Sequence, residues 1–274
     1  LPALTAGVGA PIAHAQLTLT ALLLAFGVAQ LVLGPLSDRF GRRPVLLWAD
    51  SFTEYFSTAA GRSAVELLEK SGFEVRFLER QQCCGLTWIS TGQLETAAEL
   101  VAAAVEQLHP YVSQQIPIVG LEPSCLAVIR NDAVELIDDP RTAEVAAGMF
   151  TLAELLDQVE DLELPDLTGK TLVVQPHCHQ NAVLGFEADM RLLERTGATI
   201  DRLGGCCGLA GNFGVEKGHY EVSVAVAEQQ LLPAVRSAGA EAIVVADGFS
   251  CRTQLDDLAD VQAVHLAQLL LGGS

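Results

Sequence analysis

Two Cys-Cys-Gly triplets, Cys83-Cys84-Gly85 and Cys206-Cys207-Gly208, stand in matching contexts, and that repetition constrains the fold more than any other feature of the chain. Each is followed about forty residues later by a further cysteine after a β-branched run: Cys125 in IVGLEPSC and Cys251 in IVVADGFSC. Cys178, in LVVQPHCHQ, lies upstream of the second triplet, whereas the corresponding run of the first half, VLLWADS, carries Asp50. Core packing gives no reason for cysteines to recur with their strand contexts, but a pair of related metal sites does. The 7 cysteines therefore point to an internal duplication built around metal, with iron–sulfur the leading choice and electron transfer its use.

From residue 45 onward, short β-branched runs alternate with amphipathic stretches. Strands are expected at 45–50, 74–78, 117–122, 171–175, 199–203 and 242–246. Apolar residues recur at three- and four-residue spacing over 64–70, 94–108, 143–158, 186–196 and 220–237, which predicts helices. Such alternation implies parallel sheets with crossover helices, an α/β fold. Both halves run strand, helix, strand, triplet, helix, strand, cysteine. The expected organisation is a first unit over 45–158, an acidic linker over 159–169 that contains Pro165, and a second unit over 170–274.

Ligand sites in open α/β sheets form at the carboxyl ends of strands. In the second half Cys178 follows the 171–175 run, Cys206 and Cys207 follow 199–203, and Cys251 follows 242–246, so three loops bring four thiols together. Four thiolates is the ligand number of a [4Fe–4S] centre. Zinc also accepts four, but its structural sites favour paired cysteines two to four residues apart, and no C-x-x-C occurs here. Inert buried thiols are the bland alternative. Gly204, Gly205, Gly208, Gly211 and Gly214 crowd the second triplet, and glycine lets backbone N–H groups approach cluster sulfur. Gly85, Gly205, Gly208 and Gly211 are accordingly the expected cofactor-contacting glycines.

The first half offers only Cys83, Cys84 and Cys125. Asp50 is placed by the repeat as a fourth ligand; zinc and a degenerate structural site are the alternatives there. Glu122 is either a protonation group or a surface carboxylate. His177 and His179 flank Cys178, but on an extended segment they face away from it, which disfavours joint coordination. His219 reads as a surface residue opening a helix. No dinucleotide, phosphate-loop, zinc-protease or nucleophile-elbow signature occurs, nor a ferredoxin C-x-x-C-x-x-C run.

The formal charge of −18, from 34 acidic and 16 basic residues, argues against a nucleic-acid partner, whose phosphates would be repelled. An odd cysteine count with adjacent pairs is poor disulfide material and fits a reducing, cytoplasmic compartment.

Residues 1–47 follow another pattern. The run 16–36, QLTLTALLLAFGVAQLVLGPL, is uncharged, about as long as the ~20 residues a membrane helix needs, and is followed by Arg39, Arg42 and Arg43. It is expected to be one membrane helix in a segment spanning 1–44, with a buried core helix as the alternative. A signal peptide would carry its positive charges ahead of the apolar run. The stretch GPLSDRFGRRPVLL, on Gly34, Asp38, Arg39, Gly41, Arg42 and Arg43, resembles the loop after the second membrane helix of a major facilitator drug-efflux transporter. Asp50, Ser51, Thr53 and Glu54 interrupt the third helix such a transporter needs, so a transport pathway is not expected. The segment is read as an anchor to the inner face of the membrane, a fusion, or a truncated or chimeric reading frame.

Both triplets, the EPSC run at 122–125 and Cys178 resemble the cysteine-rich CCG-domain family of heterodisulfide reductase subunits, glycolate oxidase iron–sulfur subunits and lactate-oxidising proteins, over about residues 45–274. The runs QQCCGLTWISTGQL and GGCCGLAGNFGVEKGHY are most similar to the carboxy-terminal part of FAD-linked D-lactate or glycolate dehydrogenases. The resemblance implies an iron–sulfur module not active alone. FAD, on a missing domain or a partner flavoprotein, would oxidise the hydroxy acid, and clusters would pass electrons to a quinone or other acceptor. It maps cluster ligation onto Cys83, Cys84, Cys125, Cys178, Cys206, Cys207 and Cys251. The family carries cysteine where Asp50 stands and closes each repeat with C-x-x-C, where this chain has single Cys125 and Cys251. An ordinary [4Fe–4S] centre in the second half is therefore expected, with a zinc-stabilised scaffold that binds a flavoprotein as the competing reading.

Overall fold

The computed structural model describes residues 41–272, together with Thr20 and Leu24. The membrane helix expected over 16–36 lies outside the described residues except for those two positions. Among the described residues no helix is long and apolar enough to cross a membrane. Leu1–Arg43 and Pro44–Ser274 are separate units, and the second holds all seven cysteines.

The first half of that unit is β1 (Arg43–Trp48), α1 (Ser51–Tyr55), α2 (Thr58–Lys70), β2 (Phe73–Arg76), α3 (Leu86–Ser90), α4 (Leu94–Val112), β3 (Ile118–Gly120), α5 (Pro123–Ala127), α6 (Ala133–Leu136), α7 (Arg141–Ala147), β4 (Met149–Thr151) and α8 (Leu152–Leu156). Its sheet has the order β2-β1-β3-β4; Leu46 lies opposite Ile118, and Ile118 opposite Met149, in parallel register. The second half is β5 (Thr171–Val174), α9 (Glu187–Arg195), β6 (Thr199–Arg202), α10 (Tyr220–Ala227), α11 (Leu231–Ala238), β7 (Ile243–Val245), α12 (Phe249–Ala259) and α13 (Leu266–Leu270). Its parallel sheet runs β6-β5-β7, and a single parallel bridge from Val245 to Val264 adds a fourth position, as β4 does in the first sheet.

Two expected helices are broken, each for a local reason. The stretch 143–158 divides into α7, β4 and α8 because Thr151 and Glu154 form a capping box: Thr151 Oγ1 accepts from Glu154 N at 3.0 Å, and Glu154 Oε2 accepts from Thr151 N at 2.8 Å. The stretch 220–237 divides into α10 and α11. Pro233 has no N–H for a continuous ladder but is tolerated in the first turn of a new helix.

Burial on both faces makes the parallel strands read as near-continuous apolar runs. Val45 and Leu47 face one cluster while Leu46 and Trp48 face another. The first of these clusters draws on both sheets, joining Val45, Leu47 and Val119 to Leu172, Val174 and Val245. Each such side chain contributes about 1.5–3 kcal/mol relative to exposure.

The halves also exchange helices. α8, from the end of the first half, packs on α9 of the second; α13, from the end of the second, packs on α2 of the first. Both exchanged helices start with the same device, for His265 Nδ1 accepts from Ala267 N at 3.0 Å while Gln268 Oε1 accepts from His265 N at 2.9 Å. Polar contacts reinforce the exchange. Arg191 pairs with Asp157 at 2.7 Å, Arg252 donates to Ser57 Oγ at 2.7 Å, and His265 Nε2 donates to the Leu121 carbonyl at 3.2 Å.

Candidate metal centres

In the second half, β5 leads through Gln175-Pro176-His177 to Cys178, the loop after β6 carries Cys206 and Cys207, and α12 after β7 carries Cys251. The four thiols are near enough to shift one another's acidity, Cys178 acting on Cys206, Cys206 on Cys207, and Cys251 on both Cys178 and Cys207. Cys178 is exposed, Cys206 half-buried, and Cys207 and Cys251 buried. The site thus has one wet edge and one dry wall. In the first half, Cys83 and Cys84 follow β2 and Cys125 sits in α5 after β3. Cys84 donates to Cys125 across 2.9 Å, and Cys84 and the Ser51 hydroxyl are near enough to Cys83 to shift its acidity.

The two loops are fastened in the same way. Trp48 Nε1 donates to the Gln82 carbonyl at 3.2 Å, and Gln175 Nε2 donates to the Gly205 carbonyl at 2.8 Å. Each bond ties the end of the first strand to the residue just before the Cys-Cys pair. Two residues on, Asp50 Oδ1 accepts from Phe52 N at 2.8 Å, and His177 Nδ1 accepts from His179 N at 3.2 Å. Asp50 therefore matches His177, and Ser51 matches Cys178. The expectation that Asp50 occupies the position of Cys178 is corrected: both its oxygens serve α1, taking Phe52 N, Thr53 N and the Thr53 hydroxyl.

The glycines act partly as expected. Gly208 N donates to Cys206 Sγ at 3.3 Å and Gly85 N to Cys83 Sγ at 3.5 Å. Yet what excludes a side chain at Gly208, at φ +94°, is the backbone of α10, because an added Cβ would collide with the Ser223 carbonyl. A Cβ at Gly205 would meet Gln230 at 3.2 Å, and one at Gly211 would meet nothing within 4 Å.

His177 and His179 do not face away from Cys178. The chain leaves the extended conformation after Pro176, so Cys178 and His179 begin a helical turn. The two rings stack at 5.2 Å, and one ligand atom from each of His177, Cys178 and His179 lies within 4.8 Å of the others. Burial holds the His177 pKa down at about 4, so the ring is neutral and able to accept. Glu122 is buried, not a surface carboxylate: it accepts from Ser124 Oγ at 2.6 Å and, across the halves, from Phe249 N at 2.8 Å at the start of the helix bearing Cys251. Burial, with Asp50 nearby, pushes its pKa up to about 7. His219 is a partly exposed ring stacked on Phe213 at 4.2 Å.

The neighbouring Cys178 and Cys207 thiols push the Cys206 pKa down, while Cys178 and Cys207 are raised. In the first half, a hydrogen bond to Cys84 raises Cys83, and burial pushes Cys125 up to about 12. A thiophilic metal displaces such protons. The second-half donors are all soft sulfur from three loops, with an amide already turned to one sulfur. That set fits iron–sulfur or zinc and does not suit hard cations.

A model of a cysteine-rich domain, CCG, matches residues 51–130 and 174–256. The chain is 25% identical over 225 residues to one of the subunits of the anaerobic glycerol-3-phosphate dehydrogenase of Escherichia coli (strain K12), across 80% of this chain and 56% of that protein. It thus spans little more than half the length of that relative. To lactate utilization protein A of Bacillus subtilis (strain 168) it is 27% identical over 241 residues, across 82% of this chain and 98% of that protein. Among solved structures, a branched chain amino acid ABC transporter from Thermus thermophilus with bound valine aligns over 84% of this chain and 63% of that one, at a TM-score of 0.26 and 14% identity, too low to bear on the fold.

Proposed function

The chain belongs to the cysteine-rich CCG domain family, and from that premise we propose that it is the iron–sulfur electron-transfer module of a FAD-linked 2-hydroxyacid dehydrogenase of the D-lactate or glycolate type. The placement of Cys178, Cys206, Cys207 and Cys251 just beyond the carboxyl ends of three neighbouring parallel strands, β5, β6 and β7, carries this reading. These four residues would hold a [4Fe–4S] centre, which when bound supplies one-electron transfer. The chain's own part is to shape that centre's surroundings. Buried Cys207 and Cys251 exclude water on one side, the Gly208 amide donates to sulfur and tunes the potential, and exposed Cys178 leaves an edge near the surface for electron exchange. Cys83, Cys84 and Cys125 are the candidate ligands of a second centre.

The names of the relatives, a dehydrogenase subunit and a lactate utilization protein, support an assembly in which a flavoprotein domain or subunit oxidises the substrate and a quinone or other acceptor takes the electrons. Free thiols throughout support a cytoplasmic site, at the inner face of the membrane if residues 16–36 anchor it. The full chain, purified without oxygen, tests the proposal through its iron, sulfide and zinc content and its EPR spectrum after dithionite. Roughly four irons and four sulfides per centre, with a reducible signal, are expected. Cys207→Ser should abolish or strongly perturb that signal while Cys83→Ser leaves much of it. Zinc without iron would leave a structural scaffold in its place.

A further inference from the structure

The cysteine sets of the two halves correspond except at one position. Equivalent hydrogen bonds fix both Cys-Cys loops, from Trp48 to Gln82 and from Gln175 to Gly205, so the residues three places beyond the two donors occupy equivalent positions. By that register the residue is Cys178 in the second half and Ser51 in the first, each at the same step past its fastened strand end. The remaining thiols keep the same pairing, Cys84 with Cys125 and Cys207 with Cys251. Asp50 supplies no replacement, since its carboxylate is taken up by Phe52 N, Thr53 N and the Thr53 hydroxyl at 2.6 Å.

We infer that the first-half site is a centre of three thiolates and one hydroxyl, with Ser51 at the fourth ligand position, and that the iron held there is labile. This rests on the iron–sulfur assignment proposed above. A serine hydroxyl is a harder and far less acidic donor than a thiol, so it holds iron more weakly than the thiolates beside it. The all-thiolate second half is the internal control. Oxidation should therefore strip one iron from the first site only. A [4Fe–4S]2+ centre that gives one electron to ferricyanide and releases one Fe2+ becomes [3Fe–4S]+, which balances charge and iron.

The full chain, prepared without oxygen, would be treated with ferricyanide as wild type, Ser51→Cys and Cys178→Ser, with iron and sulfide content read beforehand. Released Fe2+ and the EPR signal of a three-iron cluster are the readouts. Wild type should release about one Fe2+ per chain, Ser51→Cys at least about fivefold less, and Cys178→Ser about twice as much. If Ser51→Cys does not fold, Cys178→Ser carries the test from the other side. Undiminished release from Ser51→Cys, or unchanged release from Cys178→Ser, overturns the inference. So does a first half whose iron content is unchanged in Cys83→Ser, since it then holds no centre. A chain that holds zinc and no iron before oxidation sinks the iron–sulfur assignment itself, and the metal analysis tells the failures apart.

Discussion

Gly208→Ala separates two costs that the triplet imposes. Gly208 has φ +94°, and a left-handed backbone costs an alanine about 1–2 kcal/mol. The added Cβ would also strike the Ser223 carbonyl oxygen and lie 3.0 Å from its carbon and 3.3 Å from Ala227 N. All three are backbone atoms of α10, so no rotamer change relieves the contact and the helix must move outward. Overpacking of this kind adds about 1–3 kcal/mol, for a total of about 2–5 kcal/mol. Gly211→Ala is the control: its φ is +71°, but nothing lies within 4 Å of the new methyl, so it carries the backbone cost alone. The displacement should reach the metal site too, because Ser223 Oγ accepts from Gln254 Nε2 at 2.9 Å, one turn along α12 from Cys251. Urea unfolding of the two variants followed by circular dichroism, with iron content read in parallel, gives the comparison. Equal losses, or a Gly208→Ala chain that keeps wild-type stability and iron, would refute the packing role assigned to α10.

Glu122 makes stability depend on pH. Its folded pKa of about 7 lies above the ordinary 4.5, so its protonated form contributes stability that is present below pH 4.5 and lost as pH rises to 7. The loss should amount to about 3 kcal/mol, and Glu122→Gln, which cannot ionise, should flatten that part of a denaturation-versus-pH profile relative to wild type. Thr151→Ala removes one side of the capping box of α8 and should cost about 1 kcal/mol in urea unfolding. Leu47→Ala opens a cavity in the cluster shared by both sheets and should lower stability by about 2–5 kcal/mol; a value below 1 would mean that the sheets do not share that core.

The parallel strands are legible because burial on both faces writes them as unbroken apolar runs, and β1, β3, β5 and β7 fall where such runs lie. β4 is not, because Met149–Thr151 is too short to break the helical spacing around it. Its signal is the Thr-x-x-Glu at 151–154, matched by His-x-x-Gln at 265–268, a repeat of TLAELL and HLAQLL eclipsed by the cysteines. At 50 and 51 the sequence offers two oxygen donors, and charge favours the carboxylate. Only the paired hydrogen bonds of Trp48 and Gln175 set the register that matches Ser51 with Cys178. The direction of His177 escapes the sequence pattern because alternation holds only while a strand lasts, and β5 ends at Val174.

The crossed helices α8 and α13 give the two halves the architecture of a two-fold dimer written on one chain, each protomer lending its last helix to the other. In a true homodimer every substitution appears at both sites, so a ligand lost from one is lost from its twin. A fused pair escapes that symmetry. Joining the halves keeps the exchanged helices at high local concentration and lets each metal pocket change independently. Ser51 opposite Cys178 is such a change: one pocket retains a full set of thiols, and its neighbour is free to take up a different chemistry.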